Sequence, residues 1–371
     1  MIDERLKTLA KNLINYSCSL QPGEKILIEA MDTDEEFLCE LVKETYKIGA
    51  YPFVKPLMSK LNRELLKGTT EQREKLRCDF DLPVMENMNA YISVRSKNVY
   101  ENSDVPKENL KTVNINYNLP VHHNTRVAKT KWVILNYPTS VVAQNAGMST
   151  EAFEDFYFDV CNLDYSKMEK AMQPLKELIE KTDKVRIVAP GTDLTFSIKG
   201  MPAIKCCGKN NIPDGEIFTA PVKNSVNGVI KYNIPILSSN GERHEDVTLT
   251  FENGKIINAT SKSNEDINKI FNTDEGARYV GEFAFGVNPY IKKPMLDILF
   301  DEKIMGSIHF TPGSCYDECD NGNKSAIHWD LIQIQTPEYG GGEIYFDDVL
   351  IRKDGKFVLE ELKVLNPENL I

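Results

Sequence analysis

Lys25-Ile26-Leu27-Ile28-Glu29-Ala30 is a short apolar run that follows the turn pair Pro22-Gly23. Thr33 and Asp34 stand where a helix needs an N-cap, Gly49 where that helix must stop, and Tyr51-Pro52-Phe53-Val54 opens a second run. The runs have the length of buried strands, and the stretch between them, to about Lys47, is long enough for a crossover helix. Strand, helix and strand in this order predict a βαβ unit and a parallel sheet. The rhythm extends both ways. Upstream, Ile2, Leu6, Leu9, Ala10, Leu13 and Ile14 fall at helical spacing. Downstream come helical patterns near 60–78, then strand-like runs at Ala90-Tyr91-Ile92-Ser93-Val94 and Lys131-Trp132-Val133-Ile134-Leu135-Asn136.

After about residue 183 the pattern changes to alternation, as in Leu194-Thr195-Phe196-Ser197-Ile198 and Val247-Thr248-Leu249-Thr250-Phe251. The second of these joins Lys255-Ile256-Ile257-Asn258-Ala259 through Asn253-Gly254, a strong hairpin signal, and Asp354-Gly355 suggests another. Residues 164–182 read as a helical connector. The expected architecture is an α/β N-terminal domain with a mostly parallel sheet, 1–183, followed by an antiparallel β-rich (α+β) domain, 184–371, which holds the chemistry.

Length and composition bound the answer. A chain of 371 residues, 41% hydrophobic and 27% charged, is an ordinary two-domain globular protein. No run approaches the roughly 18 apolar residues of a membrane span. Fifty-five acids against 44 bases give a formal charge of -11, which argues against nucleic acid as a partner. Eight cysteines are scattered along the chain, and the acidic start Asp3-Glu4 does not read as a secretory signal. Both point to the reducing cytoplasm.

The first half offers little chemistry. His122-His123 reads as a surface loop flanked by proline, with adjacent side chains pointing apart. No Gly-x-Gly-x-x-Gly follows a strand. In the second half, His328-Trp329-Asp330 puts an imidazole and a carboxylate on one face of an extended segment. That pair suits a divalent ion as well as it suits a structural hydrogen bond. His309 lies in Gly306-Ser307-Ile308-His309-Phe310, facing away from Ile308 and Phe310, where a satisfied core histidine is the commoner case. Glu216 and Glu282 each open a strand after a glycine, and Asp301-Glu302 sits before Lys303-Ile304. An unpaired carboxylate among apolar residues is costly to bury. Glu216, Glu282, Glu302, His309, His328 and Asp330 make four carboxylates and two imidazoles, enough for two ions sharing a bridge. Spacing alone does not select them.

Gly215-Glu216-Ile217-Phe218-Thr219-Ala220-Pro221, Gly281-Glu282-Phe283-Ala284, Leu299-Phe300-Asp301-Glu302-Lys303-Ile304, Gly306-Ser307-Ile308-His309 and Ser325-Ala326-Ile327-His328-Trp329-Asp330 together resemble the motifs of the M29 metallo-aminopeptidases, the aminopeptidase T family. The resemblance covers the second half in order and the first half more loosely. It implies two divalent ions, zinc, cobalt or manganese, held by Glu216, Glu282, His309, His328 and Asp330. Glu302 matches as ligand or base, and Tyr316 as an active-site tyrosine. It further implies peptides with a free N-terminus as substrates, and a homodimer. Two cysteines, Cys315 and Cys319, flank Tyr316 where the family pattern needs none.

The expected activity is therefore release of N-terminal residues by a water activated between two metals. Three rivals stand beside it. Another dimetal peptidase or amidohydrolase would use the same ligands. A catalytically silent peptide-binding protein could share the scaffold. A structural zinc could use His309, Cys315, Cys319 and His328.

Overall fold

The structure, a computed structural model, describes residues 3–96, 101–238, 241–263 and 266–371. Ile2 of the predicted first helix lies outside these. The chain divides into two compact units, one made of residues 1–162 and 208–213, the other of 163–207 and 214–371. The helical stretch read as a connector, Tyr165–Ala171 and Gln173–Lys181, counts with the second unit.

In the first unit four strands, β1 (Lys25–Met31), β2 (Tyr51–Leu57), β3 (Ala90–Arg95) and β4 (Lys131–Asn136), lie in the order β2-β1-β3-β4. A two-residue strand, Asn211–Ile212, completes the far edge, and every pairing is parallel. β1 and β3 are buried nearly throughout, as strands inside a parallel sheet must be. β2 carries Pro52 and Pro56 and is largely exposed, which an edge strand tolerates because one row of its amides has no ladder partner. The crossover helix is Glu35–Ile48. Asp34 accepts from the Glu36 amide, and Gly49 ends the helix at φ 81°, both as the sequence predicts.

The helical patterns near 60–78 are two helices, Ser59–Lys67 and Glu71–Glu86, the second capped by Thr70. One expectation needs correction: His122-His123 is not on a loop but inside a wide-turn helical segment, Asn114–Val127. Pro120, which flanks the pair, lies inside this segment and removes one amide donor from it.

The second unit is built on two antiparallel sheets. The larger has eight strands, in the spatial order Lys255–Thr260, Thr248–Glu252, Asn227–Lys231, Thr192–Ser197, Lys184–Ala189, Glu343–Phe346, Val349–Lys353, Lys356–Phe357. Both predicted hairpins are present. Asn253 and Gly254 have φ of 49° and 85°, and Asp354 and Gly355 of 49° and 80°, the positive pairs a tight primed turn requires. The smaller sheet has five strands in the order Ile332–Ile334, Ser307–Pro312, Val280–Gly286, Glu216–Thr219, Ile204–Cys206.

Alternation along the two central strands of the smaller sheet divides its faces. Phe283, Phe285 and Phe310 point to the larger sheet and meet Phe196, Phe251, Phe346 and Phe357 at ring distances of 5.0–6.1 Å. Glu282, Ala284, Gly286, His309 and Thr311 therefore share the opposite face. Gly286 has no room for more. A β-carbon there would stand 2.3 Å from the Ile304 carbonyl oxygen and 2.5 Å from Ser307 Oγ. Gly286→Ala is expected to destabilise the protein by about 1–3 kcal/mol, seen as a lower midpoint in urea unfolding, because backbone must move to admit one methyl.

Candidate metal centre

Three neighbouring strands deliver the acids and one histidine. Cross-strand register places Glu282 opposite Thr311, His309 opposite Ala284 and Glu216 opposite Gly286. Opposed residues share a face, so Glu216, Glu282 and His309 project together over the small residues Ala284 and Gly286. A bulge at Gly281, where the register shifts between Val280 and Glu282, decides that Glu282 and not its neighbour takes this face. His328 and Asp330 come from the extended segment before Ile332–Ile334, tied down by a bridge between His328 and Gly313.

The side-chain donors converge. His309 Nε2 lies 3.3 Å from Glu282 Oε1 and 3.5 Å from Glu216 Oε2. His328 Nε2 lies 3.2 Å from Glu282 Oε2 and 3.3 Å from Asp330 Oδ1. Donors bound at roughly 2.0–2.1 Å around a tetrahedral ion stand about 3.3 Å apart, so these separations are those of ligand atoms arranged about a cation. Glu282, His309 and Asp330 each offer an atom within 4.8 Å of the others.

Two further observations fit a metal. Glu216 Oε2 and His328 Nε2 are buried without a hydrogen-bond partner. His328 Nδ1 donates its N–H to the Ser314 carbonyl at 2.7 Å, which turns Nε2 toward the carboxylates. Asp330 Oδ1 accepts from Thr311 Oγ1 at 2.8 Å, fixing the acid in turn.

The electrostatics agree. Burial alone would lower the basicity of His328, but Asp330 and Glu282 outweigh it and raise the imidazole to about 11. His309 is also raised: burial opposes, and Glu282 and Glu216 prevail. Burial likewise works against ionised Glu282 and Asp330, yet the two imidazoles hold both carboxyls below the usual range. The cluster is built to be filled with positive charge, and a divalent ion supplies in one atom what two protons otherwise supply.

Five of the predicted residues, Glu216, Glu282, His309, His328 and Asp330, are thus brought together. Glu302 stands one step away: its carboxylate pairs with Lys303 Nζ, which also reaches Glu216 Oε1 at 3.4 Å. Tyr316 lays its ring against His328, 4.7 Å between centroids, and against Phe218 at 5.4 Å, while 45% of its surface stays accessible. Cys315 and Cys319 turn elsewhere. Cys315 Sγ lies 3.1 Å from both Asp320 Oδ1 and the Asn323 carbonyl, either of which can accept its one proton, and Cys319 Sγ donates to the Pro202 carbonyl at 3.4 Å.

Sequence reasoning missed three neighbours. Lys303, fully buried, passes for a surface lysine in sequence; the available signal was its place in a charged triplet between Phe300 and Ile304. Cys206 lies opposite Glu216 across the sheet, and Cys206, Asp214 and Glu216 form a second group whose donor atoms lie within 4.8 Å of one another. Only the fold joins these positions.

Comparisons with known proteins bear on this geometry. The family model described as thermophilic metalloprotease (M29) matches residues 2–357. Aminopeptidase AmpS of Bacillus subtilis (strain 168) is 25% identical over 367 residues, covering 89% of each chain. Among solved structures, wild-type AmpT from Thermus thermophilus is similar with a TM-score of 0.79 at 20% identity, over 96% of this chain and 99% of that one. A 2,5-dihydroxypyridine dioxygenase from Pseudomonas putida KT2440 reaches 0.61 at 14% identity, over 98% of this chain and 99% of that one. The two structural likenesses speak for the fold, which evidently hosts more than one chemistry.

Asp301, next to Glu302, gives a pH test of this segment. It is buried and accepts from the Met295 amide at 2.7 Å; burial, then Asp297, raises its carboxyl to about 8. A folded pKa above the unfolded value means stability that is complete below the ordinary aspartate value of 3.8 and is lost as pH rises through about 8. Asp301→Asn keeps the acceptor and removes the titration. Thermal midpoints of the two proteins should draw apart, in favour of the variant, as pH rises from about 4 to about 8, and keep a constant gap above that.

Proposed function

Because the chain belongs to the thermophilic metalloprotease (M29) family, we propose that its carboxylate–imidazole cluster makes it a metal-dependent aminopeptidase. Dependence on metal and action on peptide bonds go with the family; the aminopeptidase activity is that of relatives such as AmpS. The observation that carries the reading is the division of Glu282. One of its oxygens faces His309 beside Glu216, and the other faces His328 beside Asp330. One carboxylate common to two sets of donors is the arrangement that a pair of ions requires.

Glu216, Glu282 and His309 would hold one ion, and Glu282, His328 and Asp330 the other. Zinc, cobalt and manganese all accept this mixture of oxygen and nitrogen donors. Bound there, such ions polarise a peptide carbonyl and bring the pKa of a coordinated water down toward ~7. The chain's own groups do the rest. The carboxylates of Glu216, Glu282 and Asp330 make the floor of the site anionic and favour a peptide that presents a free ammonium. Glu302, held by Lys303, accepts a proton from the attacking water. Tyr316 donates from its hydroxyl to the oxyanion that develops on the carbonyl; burial and the carboxylates around it raise its pKa, so the proton is there to give. The eight cysteines are all free thiols, which supports the cytoplasm as its compartment. Homodimer formation rests on the family resemblance.

The test is hydrolysis of short peptides in free-amine and N-acetylated form, by protein stripped with chelator and then resupplied with each metal. Cleavage that returns with metal and only on free amines is the expected result. Cleavage of both forms would make the protein a different dimetal amidohydrolase, and none at all, with metal bound, a silent binding protein. Tyr316→Phe should lower turnover by about 10²–10³ while metal content by mass spectrometry stays that of the wild type. Full turnover in the Phe variant would remove Tyr316 from the mechanism.

A further inference from the structure

The first unit contains a cavity of about 600 Å³ that the peptidase reading does not use. Its position follows from topology. The chain runs from β1 outward to β2, then returns past β1 to β3. In an open parallel sheet, the loops leaving two such strands part in opposite directions, and a crevice opens beyond their carboxyl ends. Met31, at the end of β1, and Ser93, Val94 and Arg95, at the end of β3, line this cavity. Its volume falls among the roughly 300–1,000 Å³ of small-molecule sites.

The chemistry of the wall is specific. Arg126 lines the cavity with only 8% of its surface exposed, and its Nε and Nη1 have no hydrogen-bond partner. Its guanidinium lies over the Trp132 ring at 4.6 Å and the Tyr91 ring at 5.2 Å, so the head is held in place by aromatic faces and not by an acid. Arg95, at the exposed rim, donates to Ser93 Oγ at 3.0 Å. Arg77 also lines the wall, and faces Glu74 and Asp81. The one carboxylate on the wall is Glu29, which already accepts from the Tyr91 hydroxyl at 2.9 Å. His122 reports the resulting potential: burial, then Arg126, Arg95 and Arg77, push its imidazole down to about 3, so it stays neutral. The helix that follows β1 begins Asp34-Glu35-Glu36, which excludes its N-terminus as a phosphate cradle and leaves charge recognition to arginine.

A buried guanidinium with free donors is costly unless an anion completes it, and its planar fork matches carboxylate and phosphate oxygens. We propose that the crevice beyond β1 and β3 binds a small organic oxyanion, a phosphate ester or a carboxylate, with Arg126 as the anchor and Arg95 at the rim. All the residues lining this site belong to the first unit.

Isothermal titration of the full-length, metal-loaded protein tests it with three probes: adenosine monophosphate, hippurate, and uncharged adenosine. Hippurate has no free amine and so is no substrate for an aminopeptidase. At least one of the two anions should bind, adenosine should not, and Arg126→Met should weaken the binding at least about tenfold, the effect of losing a charge-assisted pair. Arg95→Gln, at an exposed position, should weaken it several-fold and carries the test if the Met variant does not fold. Binding of the phosphate alone would identify a phosphate ester as the ligand class, and of hippurate alone a carboxylate. Equal affinity in wild type and both variants would place the anion elsewhere and overturn the proposal. So would the absence of binding by either anion at millimolar concentration.

Discussion

Val280–Gly286 is the strand on which the second unit depends. Its odd positions, Phe283 and Phe285, fill the space between the two sheets, and its even positions, Glu282, Ala284 and Gly286, form the middle of the metal cluster. A strand offers no third direction. The packing that stabilises the sandwich and the placement of the bridging carboxylate are therefore one geometric fact. A register slip of one residue would turn Glu282 into the aromatic layer and a phenylalanine into the site. The bulge at Gly281, crowded by the Ser314 carbonyl oxygen 2.4 Å from where a β-carbon would stand, pins that register.

Much of this was legible in the residues. The parallel first sheet followed from runs such as Lys25–Ala30 separated by a capped helix, and the hairpins followed from Asn253-Gly254 and Asp354-Gly355, because these signals are local. Period two correctly turned His309 away from Ile308 and Phe310. What sequence could not supply was distance between strands. Glu216 and Glu282 are 66 positions apart, and only the pairing of their strands makes them neighbours. The resemblance to a known family, and not spacing, picked out the six candidates, and it carried no information on Lys303, Cys206 or Asp214, which join through the same pairing. The proline beside His122-His123 suggested a loop, yet the segment is helical with Pro120 inside it.

The two sites treat buried charge in opposite ways. Around the metal cluster, Glu216, Glu282, Glu302 and Asp330 outnumber Lys303, and with both imidazoles neutral, as metal ligands must be, the surplus is negative. In the cavity of the first unit, guanidiniums outnumber the one carboxylate, Glu29, and the surplus is positive. A protein of net charge -11 has no general need for either. Each is a local imbalance maintained against the cost of burial, and each is relieved by a partner of opposite sign. The fold shared with both AmpT and a dioxygenase adds that the framework is permissive.

The chain leaves the first unit after residue 162, runs through strands and helices of the second, and comes back to lay down Asn211–Ile212 beside β4 before departing for good. Neither unit is a continuous piece of sequence. During synthesis the first sheet must therefore wait for its last edge strand until part of the second unit has already been made. Any attempt to cut the gene into two halves, at whatever position between them, removes a strand from one product. Shuffling of the metal-binding unit onto another N-terminal partner by simple fusion is barred for the same reason, so the pair would be inherited as one piece.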